Sequence, residues 1–504
     1  MAKTDKHDEL TDGSLLAAVD LGSNSFHLII ARLEHGEIRP TQALSEKVQL
    51  AAGLENRVLS ADAIERGIDC LRRFSQMLKS VSPERLRVVG TSALRRAKNR
   101  RDFTEPARDI LGAPVEVIYG REEARLVYLG VAHTLADDER ARLVVDIGGG
   151  STEFAIGERF EPRRLESLQV GCVTYSRDCF PNGELSKSNY QQAYERACVE
   201  VTHIRRDFRQ RHWVEAVGSS GTLQAIEGIL DAQEWTDGAI TRKGLQRMRR
   251  ALLRYERFED IELSGLSAAR RSVIAAGVAI TEAIFDVLEI DEMRSSPGAL
   301  REGVIYDLVG RLGHEDVRER SITALMQRYH VDEDTAKRLA RRAHLLFEAV
   351  ADSWQLKERD GELLARAALA HEIGKAISHK HYHRHGAYLL RNSDLAGFSQ
   401  QDQEDMATMV SGQQGKLRSE LFAEATDEPA LRRLQRLVAL LRLAVTFKYI
   451  EELEALPNLA IEATSKSLKI ALPESWLRRH PLTHQELKQQ KEALKRLDLQ
   501  LSFS

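Results

Sequence analysis

The chain has 504 residues, 42% of them apolar, and a formal net charge of −3 at neutral pH. This length suffices for about three or four domains of roughly 150 residues each. The small negative charge argues against a general nucleic-acid-binding protein. The sequence contains no uninterrupted run of about 18 apolar residues, so we expect no membrane-spanning helix. The four cysteines, Cys70, Cys172, Cys179 and Cys198, include no pair at the spacing of zinc or redox sites. We therefore expect reduced thiols in a cytoplasmic protein, with peripheral association with the inner membrane left open.

The first predicted elements contain a turn pattern that occurs twice in the chain. An apolar strand precedes Asp20-Leu21-Gly22-Ser23-Asn24-Ser25, and a second apolar strand, Phe26 to Arg32, follows it. The pattern returns at Asp146-Ile147-Gly148-Gly149-Gly150-Ser151-Thr152, again between two apolar runs. Each copy predicts a β-hairpin whose turn presents backbone N–H groups and hydroxyls. Two such turns facing each other across a cleft would suit a chain of phosphate groups.

Between the two copies the patterns predict alternating helices and strands. A helix from Ala61 to Leu78 follows Ser60 as its N-cap, and a buried strand covers Leu86 to Gly90. A further strand at Val115 to Tyr119 leads through Gly120 into a helix from Arg121 to His133. Strands that alternate with helices in this way are typical of an α/β fold.

The second copy is followed by the same alternation. The patterns predict a long helix from Ser188 to His212 and a strand, Trp213 to Val217, that ends at Gly218-Ser219-Ser220-Gly221-Thr222. Helix Ala268 to Val287, strand Ile290 to Arg294 and helix Ala299 to Leu312 are predicted next. A strand, a loop of small residues and a helix N-terminus together favour anion binding.

The composition changes after residue 316. Val317 to about Lys448 is rich in Ala, Leu and Arg with a helical pattern. The tail predicts a small hairpin, Leu459 to Ala463 and Leu468 to Leu472, then a charged helix from Thr483 to Asp498 and a last strand.

Six motifs resemble those of the exopolyphosphatase/guanosine pentaphosphate phosphohydrolase family, in the actin/Hsp70/sugar-kinase superfamily. They occur in the family's order over about 300 residues: Asp20 to Ser25, Thr91-Ser92-Ala93-Leu94-Arg95, Gly120 to Leu126, Asp146 to Glu153, Gly218 to Thr222, and Gly298 to Gly303. The resemblance implies an α/β fold of two ribonuclease-H-like (actin-like ATPase) lobes with an interlobe cleft, at residues 14–136 and 137–313. A helical HD-like domain at 317–450 and a small α+β domain at 456–504 would follow, and residues 1–13 are expected to be a disordered tail.

The resemblance assigns to Glu123 the role of activating or orienting the attacking water, with Glu122 as the alternative. The helix dipole at the start of its helix favours an ionised carboxylate there. Asp20 and Asp146 are candidate Mg²⁺ ligands, with Glu153 as a third member, because Mg²⁺ takes one or two carboxylates along with phosphate oxygens and water. The candidate phosphate-binding residues are Ser23, Asn24, Arg95, Gly148, Gly149, Gly150, Ser151, Thr152, Gly218, Ser219, Ser220 and Gly221.

Histidines in the C-terminal half form a second pattern. His344, His371-Glu372 and His385 resemble the ligand framework of HD-type metal phosphohydrolases, but Glu372 stands where that motif has Asp. We expect no metal there, and expect His379, His381, His383 and His385 to form a partly protonated surface for a polyanion.

We therefore predict an exopolyphosphatase that removes the terminal phosphate of inorganic polyphosphate by Mg²⁺-assisted attack of water. The turn Gly148 to Ser151 and the segment Asn392 to Phe398 resemble the exopolyphosphatase branch. The alternative is a guanosine pentaphosphate (pppGpp) 5′-phosphohydrolase, or both activities in one protein. An ATP-dependent kinase and a non-catalytic polyphosphate or nucleotide sensor are more distant alternatives. The family resemblance also suggests a homodimer without specific nucleic-acid partners.

Overall fold

The computed structural model describes residues 10–34, 37–135, 140–312, 316–425, 427–448, 450 and 460–503. The chain forms two compact units, Met1–Val317 and Arg318–Ser504. Most of the expected tail, the expected lobe boundary at 136/137 and the first residues of the expected C-terminal α+β domain lie outside the described residues. Among the described residues, no helix is both long and apolar enough to cross a membrane.

The first lobe of unit 1 contains a five-stranded mixed sheet and a two-stranded ribbon. The sheet strands are β1 Leu15–Leu21, β2 Ser25–Glu34, β3 Glu37–Lys47, β6 Leu86–Gly90 and β7 Val115–Val117, and the ribbon strands are β4 Leu54–Glu55 and β5 Val58–Leu59. The helices are α1 Ala61–Met77, α2 Ser92–Arg96, α3 Arg101–Leu111 and α4 Gly120–Ala132. The sheet order is β3-β2-β1-β6-β7, in which β1 pairs antiparallel with β2 and parallel with β6.

The second lobe repeats this architecture. Its strands are β8 Arg142–Ile147, β9 Thr152–Glu158, β10 Glu161–Leu168, β11 Glu215–Ser219, β12 Ile240–Thr241 and β13 Glu292–Ser295, in the order β10-β9-β8-β11-β13-β12. Its helices are α5 Cys172–Cys179, α6 Lys187–Thr202, α7 Arg205–Phe208, α8 Ser220–Ala232, α9 Arg242–Leu252, α10 Arg271–Leu288 and α11 Leu300–Leu312. Again the first strand pairs antiparallel with the second and parallel with the fourth. The repeated sequence pattern is thus a repeated fold, which confirms the predicted α/β class.

The structure contains elements that the sequence analysis did not predict, including α3, α9 and the short strands β4, β5 and β12. The third strand of each sheet, β3 and β10, was not predicted, because their residues are mostly exposed or half-buried and show no apolar alternation. The helix predicted from Ser188 to His212 ends at Thr202, and a separate four-residue helix, α7, follows it.

Helices α4 and α11 each pack on the sheet of the lobe that they do not follow in sequence. Helix α4 follows the first sheet in sequence but packs on β9 and β10 of the second, whereas α11 follows the second sheet and packs on β1 and β2 of the first. The two helices also contact each other at Gly130 and Gly303. A Cβ atom on Gly130 would collide with the carbonyl oxygen of Ala299, and one on Gly303 with that of Leu126. Glycine at both positions therefore sets how closely the two helices approach.

A buried group of charges joins α4 and α11 to the first sheet. Asp307 of α11 accepts hydrogen bonds from Arg87 at 2.7 Å, from Arg311 at 2.8 Å and from Arg125 of α4. Arg125 also binds Glu122 at 2.8 and 2.9 Å. Burial alone would raise the pKa of Asp307, but the three arginines hold that pKa well below its usual value. The junction of the lobes is therefore ionic as well as apolar.

Unit 2 is helical with a small C-terminal sheet. Its helices are α12 Val317–Arg328, α13 Glu333–Trp354, α14 Glu358–Leu369, α15 Tyr382–Asn392, α16 Gln400–Gly412, α17 Glu428–Thr446, α18 Glu474–Arg479 and α19 Pro481–Leu494. The strands β14 Ile461–Thr464, β15 Ser467–Ile470 and β16 Gln500–Phe503 form one sheet in that order. Helices and sheet share one hydrophobic core that includes Trp354, Phe447 and Leu501.

Candidate functional site

A cavity of about 330 Å³ lies between the two hairpin turns of unit 1. The turns approach each other closely: a Cβ atom on Gly150 would lie 2.9 Å from the hydroxyl of Ser92 and 3.1 Å from that of Ser23. A Cβ on Gly149 would lie 3.3 Å from the backbone nitrogen of Asn24. Small residues at these positions leave the backbone open to a ligand, as the duplicated sequence pattern predicts.

Three helix N-termini border this cavity. Glu123 lies in the first turn of α4, Ser220 and Gly221 begin α8, and Arg301 lies in the first turn of α11. Ser220 has a φ angle of 81°, in the left-handed region that favours glycine. Helix N-termini present free N–H groups and a partial positive charge, so their convergence creates a site for an anion.

The structure brings together eight of the twelve candidate phosphate-binding residues. The cavity wall contains Ser23, Asn24, Gly148, Gly149, Gly150, Ser151, Ser220 and Gly221. The other four do not line it. The hydroxyl of Thr152 donates to the carbonyl of Val170 at 2.5 Å and that of Ser219 to the carbonyl of Gly298 at 3.0 Å, while Gly218 lies within β11.

Arg95, the fourth, contacts the cavity indirectly through Glu123. Its Nη1 donates to the Glu123 carboxylate at 3.0 Å and to the carbonyl of Ile118 at 2.8 Å. Its Nη2 is buried and has no hydrogen-bond partner among the described residues. Arg95 thus holds the carboxylate of Glu123 in place and retains one free donor.

The two neighbouring carboxylates at the start of α4 have different environments. Glu123 lines the cavity, whereas Glu122 is buried against Arg125 on another side of the helix. Burial raises the pKa of Glu123, and the charge of Arg95 partly opposes this shift. The helix dipole at the start of α4 favours the ionised form of this carboxyl group, whereas its burial favours the neutral form. A raised pKa makes Glu123 a better proton acceptor when ionised.

The three candidate metal ligands lie close to Glu123 on the two hairpins. Burial, followed by the charges of Glu123 and Asp146, raises the pKa of Asp20 well above its usual value. Burial raises the pKa of Asp146 to about 7. A hydrogen bond with the Ser219 side chain opposes this rise, and the negative charge of Glu123 adds to it. Burial and the charges of Glu123 and Asp146 likewise raise the pKa of Glu153. Four neighbouring carboxylates that repel one another, two of them buried and two half-buried, would be stabilised by a cation.

Two of these carboxylates are placed where they could hold Mg²⁺. Asp20 and Asp146 both line the cavity, and Oδ1 of Asp20 is buried without a hydrogen-bond partner among the described residues. Glu153 instead accepts a hydrogen bond from Ser167 at 2.9 Å and does not line the cavity. No group of three or more His, Cys, Asp or Glu side chains in the described residues is arranged to hold a metal by itself. The pair Asp20 and Asp146 fits Mg²⁺, which needs few protein ligands when phosphate and water supply the rest.

Sequence reasoning missed several residues of the cavity wall, including Arg270, Arg301, His27 and Cys172. Burial, with the charges of Arg301 and Arg270, lowers the pKa of His27 to about 4, so its imidazole is neutral near pH 7. Burial raises the pKa of Cys172, which therefore stays a thiol. Arg301 lies within the motif Gly298 to Gly303, and this motif is the sequence signal that could have identified it as a residue of the site.

Replacing Arg301 with Gln should raise KM for an anionic phosphate substrate about tenfold and change kcat less, because a charge-assisted hydrogen bond contributes roughly 1.5–3 kcal/mol. Steady-state kinetics would measure this. Arg294→Gln is the matched control, since Arg294 is an exposed arginine outside the cavity. An unchanged KM in Arg301→Gln would exclude this side chain from substrate binding.

The histidines of unit 2 lie in different environments. His344 is exposed and lies 3.1 Å from Glu348, whereas His371 is fully buried and donates through Nδ1 to the carbonyl of Ala368 at 2.7 Å. Nε2 of His371 lies 3.5 Å from the carboxylate of Glu372. The HD-like character of this unit stays a prediction.

Comparison with known proteins relates both units to one family. Residues 29–312 match the Ppx/GppA phosphatase family, and residues 317–491 match domain III of Ppx/GppA phosphatases. The chain is 39% identical over 488 residues to the guanosine-5′-triphosphate,3′-diphosphate pyrophosphatase of Photobacterium profundum, covering 96% of each chain.

Solved structures give the same result for the fold. The crystal structure of the Aquifex aeolicus member of the Ppx/GppA family has a TM-score of 0.50 and 27% identity, covering 59% of this chain and 97% of that one. An exopolyphosphatase from Cytophaga hutchinsonii has a TM-score of 0.54 and 22% identity, covering 60% and 99%. The family resemblance and the actin-like lobes are therefore confirmed.

Proposed function

The chain belongs to the Ppx/GppA phosphatase family, whose members are hydrolases of phosphoanhydride bonds, and from this we propose that it removes the terminal 5′-phosphate of guanosine 5′-triphosphate 3′-diphosphate. The observation that carries the proposal is the 39% identity, across 96% of both chains, to a pyrophosphatase named for that substrate. The sequence alone predicts inorganic polyphosphate as the first choice of substrate and this nucleotide as the second. The comparisons favour the reverse order, because the exopolyphosphatase structure supports only the fold at 22% identity.

The cavity supports attack by water on a terminal phosphoryl group. Ser23, Asn24 and the turn Gly148 to Ser151 would donate hydrogen bonds to phosphate oxygens from opposite sides. Glu123, held by Arg95, would accept a hydrogen bond from the attacking water and orient it. Phosphoryl transfer needs mainly such positioning and the stabilisation of negative charge.

Asp20 and Asp146 would hold a Mg²⁺ ion whose remaining ligands are phosphate oxygens and water. Such an ion would neutralise part of the negative charge on the transferred phosphoryl group. Glu153, bonded to Ser167, would act on the same site through its charge rather than by direct coordination.

Substrate choice is tested by phosphate release from the purified protein. Guanosine 5′-triphosphate 3′-diphosphate, long-chain polyphosphate and ATP are compared at equal Mg²⁺, and kcat/KM is determined for each. We expect the guanosine nucleotide to have the highest kcat/KM. A higher value for polyphosphate would restore the exopolyphosphatase assignment, and phosphate transfer from ATP to an acceptor would favour a kinase. Release from none of the three would favour a non-catalytic sensor.

Replacing Asp146 with Asn should raise the Mg²⁺ concentration needed for half-maximal activity, because a neutral amide is a poorer ligand for a hard cation. Asp20→Asn should act in the same direction if both carboxylates share one ion. Titration of activity with Mg²⁺ measures the change. Asp178→Asn, an exposed carboxylate bound to Arg177 and Arg196, is the control. A titration curve identical to that of the unmodified protein would remove Asp146 from the metal site.

We also propose a homodimer, on the family resemblance alone. Light scattering of the purified chain tests this directly, and a monomeric mass would contradict it.

A further inference from the structure

Unit 2 contains a cavity of about 540 Å³, larger than the one between the lobes of unit 1. It lies between the end of α16 and the loop after it, the last turns of α17, and one face of α19. A volume of this size is in the range of pockets that hold small organic ligands. None of the catalytic or phosphate-binding candidates lies in its wall.

The wall contains a buried arginine without an acidic partner. Arg442 is 4% exposed, and it donates to the amide oxygen of Gln490 at 2.8 Å and to the carbonyl of Gly412 at 2.6 Å. Among the described residues no carboxylate pairs with it, and burial lowers its pKa to about 10. A buried guanidinium that binds only neutral acceptors leaves its positive charge uncompensated, which an anionic ligand would correct.

Further basic side chains point to the same chemistry. Lys416 and Arg496 are exposed residues of the wall, and Lys448 lines it while paired with Glu372. The wall also contains two carboxylates, Glu486 and Glu492, whose negative charges offset part of this positive charge. Glu492 is bound by Lys495 at 2.7 Å, and burial raises the pKa of Glu486. The net charge of the wall is therefore positive.

The remaining polar groups of the wall suit a ligand with hydrogen-bonding edges. Gln413 is 1% exposed, donates to the carbonyls of His371 and Val410, and leaves its own Oε1 buried without a partner among the described residues. Gln414, Gln489 and Tyr382 also line the cavity. Amides and a carboxylate can bind the donors and acceptors of a nucleobase, and a tyrosine ring can stack on it.

We propose that this cavity is a second ligand site of the protein, and that it binds a nucleoside phosphate. The phosphate groups bind Arg442 with Lys416 and Arg496, and the base contacts the amide-lined part of the wall. A bare phosphate would fill only a small part of the cavity and would leave the buried amide oxygen of Gln413 without a partner. This proposal stands independently of the substrate assigned to unit 1.

Isothermal titration calorimetry of the full-length chain tests the proposal. All proteins carry Glu123→Gln, so that the probe is not consumed, and the probe is GDP. One protein has no further change, a second carries Lys416→Gln with Arg496→Gln, and a third carries Lys488→Gln with Lys491→Gln. The last pair is the matched control, because Lys488 and Lys491 are exposed lysines of α19 outside the cavity wall.

We expect one GDP-binding event to weaken about tenfold or more in the second protein and to stay unchanged in the third. Identical titrations in all three proteins would overturn the proposal, as would equal weakening in the second and third. Tripolyphosphate and guanosine are titrated separately. Binding of tripolyphosphate to this site as tight as that of GDP would overturn the nucleoside part, and we expect guanosine alone to bind far more weakly.

Arg442→Gln is a further test, with circular dichroism as the measure of folding. We expect it to abolish the same GDP-binding event. If the loss of its bonds to Gly412 and Gln490 unfolds unit 2, the variant with Lys416 and Arg496 replaced decides the question, because neither of these exposed side chains forms an ion pair among the described residues.

Discussion

Replacing Glu123 with Gln should lower kcat by about 10²- to 10⁴-fold and leave the fold and substrate binding intact, the usual range for loss of one general base. The amide has nearly the shape of the carboxylate but cannot accept the proton of the attacking water. Arg95 would still donate to the amide oxygen, so the side chain should stay in place. Phosphate release and a binding titration on the same preparation separate the two effects.

Glu122→Gln is the matched control, because it makes the same change one residue earlier. Glu122 is bound to Arg125 and does not line the cavity. We expect it to reduce stability more than turnover. If Glu122→Gln loses activity in the folded protein while Glu123→Gln keeps it, the assignment of the two carboxylates is reversed.

Replacing Asp307 with Ala should lower the free energy of unfolding of unit 1 by about 3–5 kcal/mol, as expected when one member of a buried ionic group is removed. Asp307 is the shared acceptor of Arg87, Arg125 and Arg311, and its side chain is only 3% exposed. Its loss leaves three buried guanidinium groups with less compensation. Calorimetry of the full chain, with the transition of unit 1 identified, measures the effect.

Asp69→Ala provides the comparison. Asp69 forms an exposed ion pair with Arg72 at 2.7 Å, and such pairs usually contribute less than about 1 kcal/mol. An Asp307→Ala protein as stable as the Asp69→Ala protein would show that the buried group contributes little to the stability of the lobe junction.

The parts of the fold that the sequence predicted well carry a local signal, such as a short apolar run or a helix-capping residue. Strand β6 is buried along its whole length, and α1 begins after Ser60, which accepts a hydrogen bond from the backbone of Ala63 at 3.3 Å. The two hairpins were predicted because a carboxylate and small turn residues separate two apolar runs in each. These signals are local in the sequence and can be recognised without knowledge of tertiary contacts.

The strands and site residues that the sequence did not predict depend on tertiary contacts. Strands β3 and β10 bury little apolar surface, so nothing in their composition distinguishes them from loops. The sequence placed Glu122 and Glu123 together at a helix start, but which of them faces the cavity depends on how α4 packs across to the second lobe. Arg270 lines the cavity from the start of α10, and no local sequence pattern indicates that its side chain lies there.

Strand β3 also bears on how the protein behaves at high concentration. Among the described residues it is the outer strand of its sheet, eleven residues long, and a long edge of this kind can recruit a strand from another molecule. Here the edge carries Glu37, Arg39, Pro40, Glu46 and Lys47, and its pairing with β2 is interrupted by a register shift between Ile30 and Ala31. Charges, a proline and a bulge each disfavour intermolecular sheet growth. The polar composition that concealed this strand from sequence-based prediction is thus the property that protects the folded protein against aggregation at this edge.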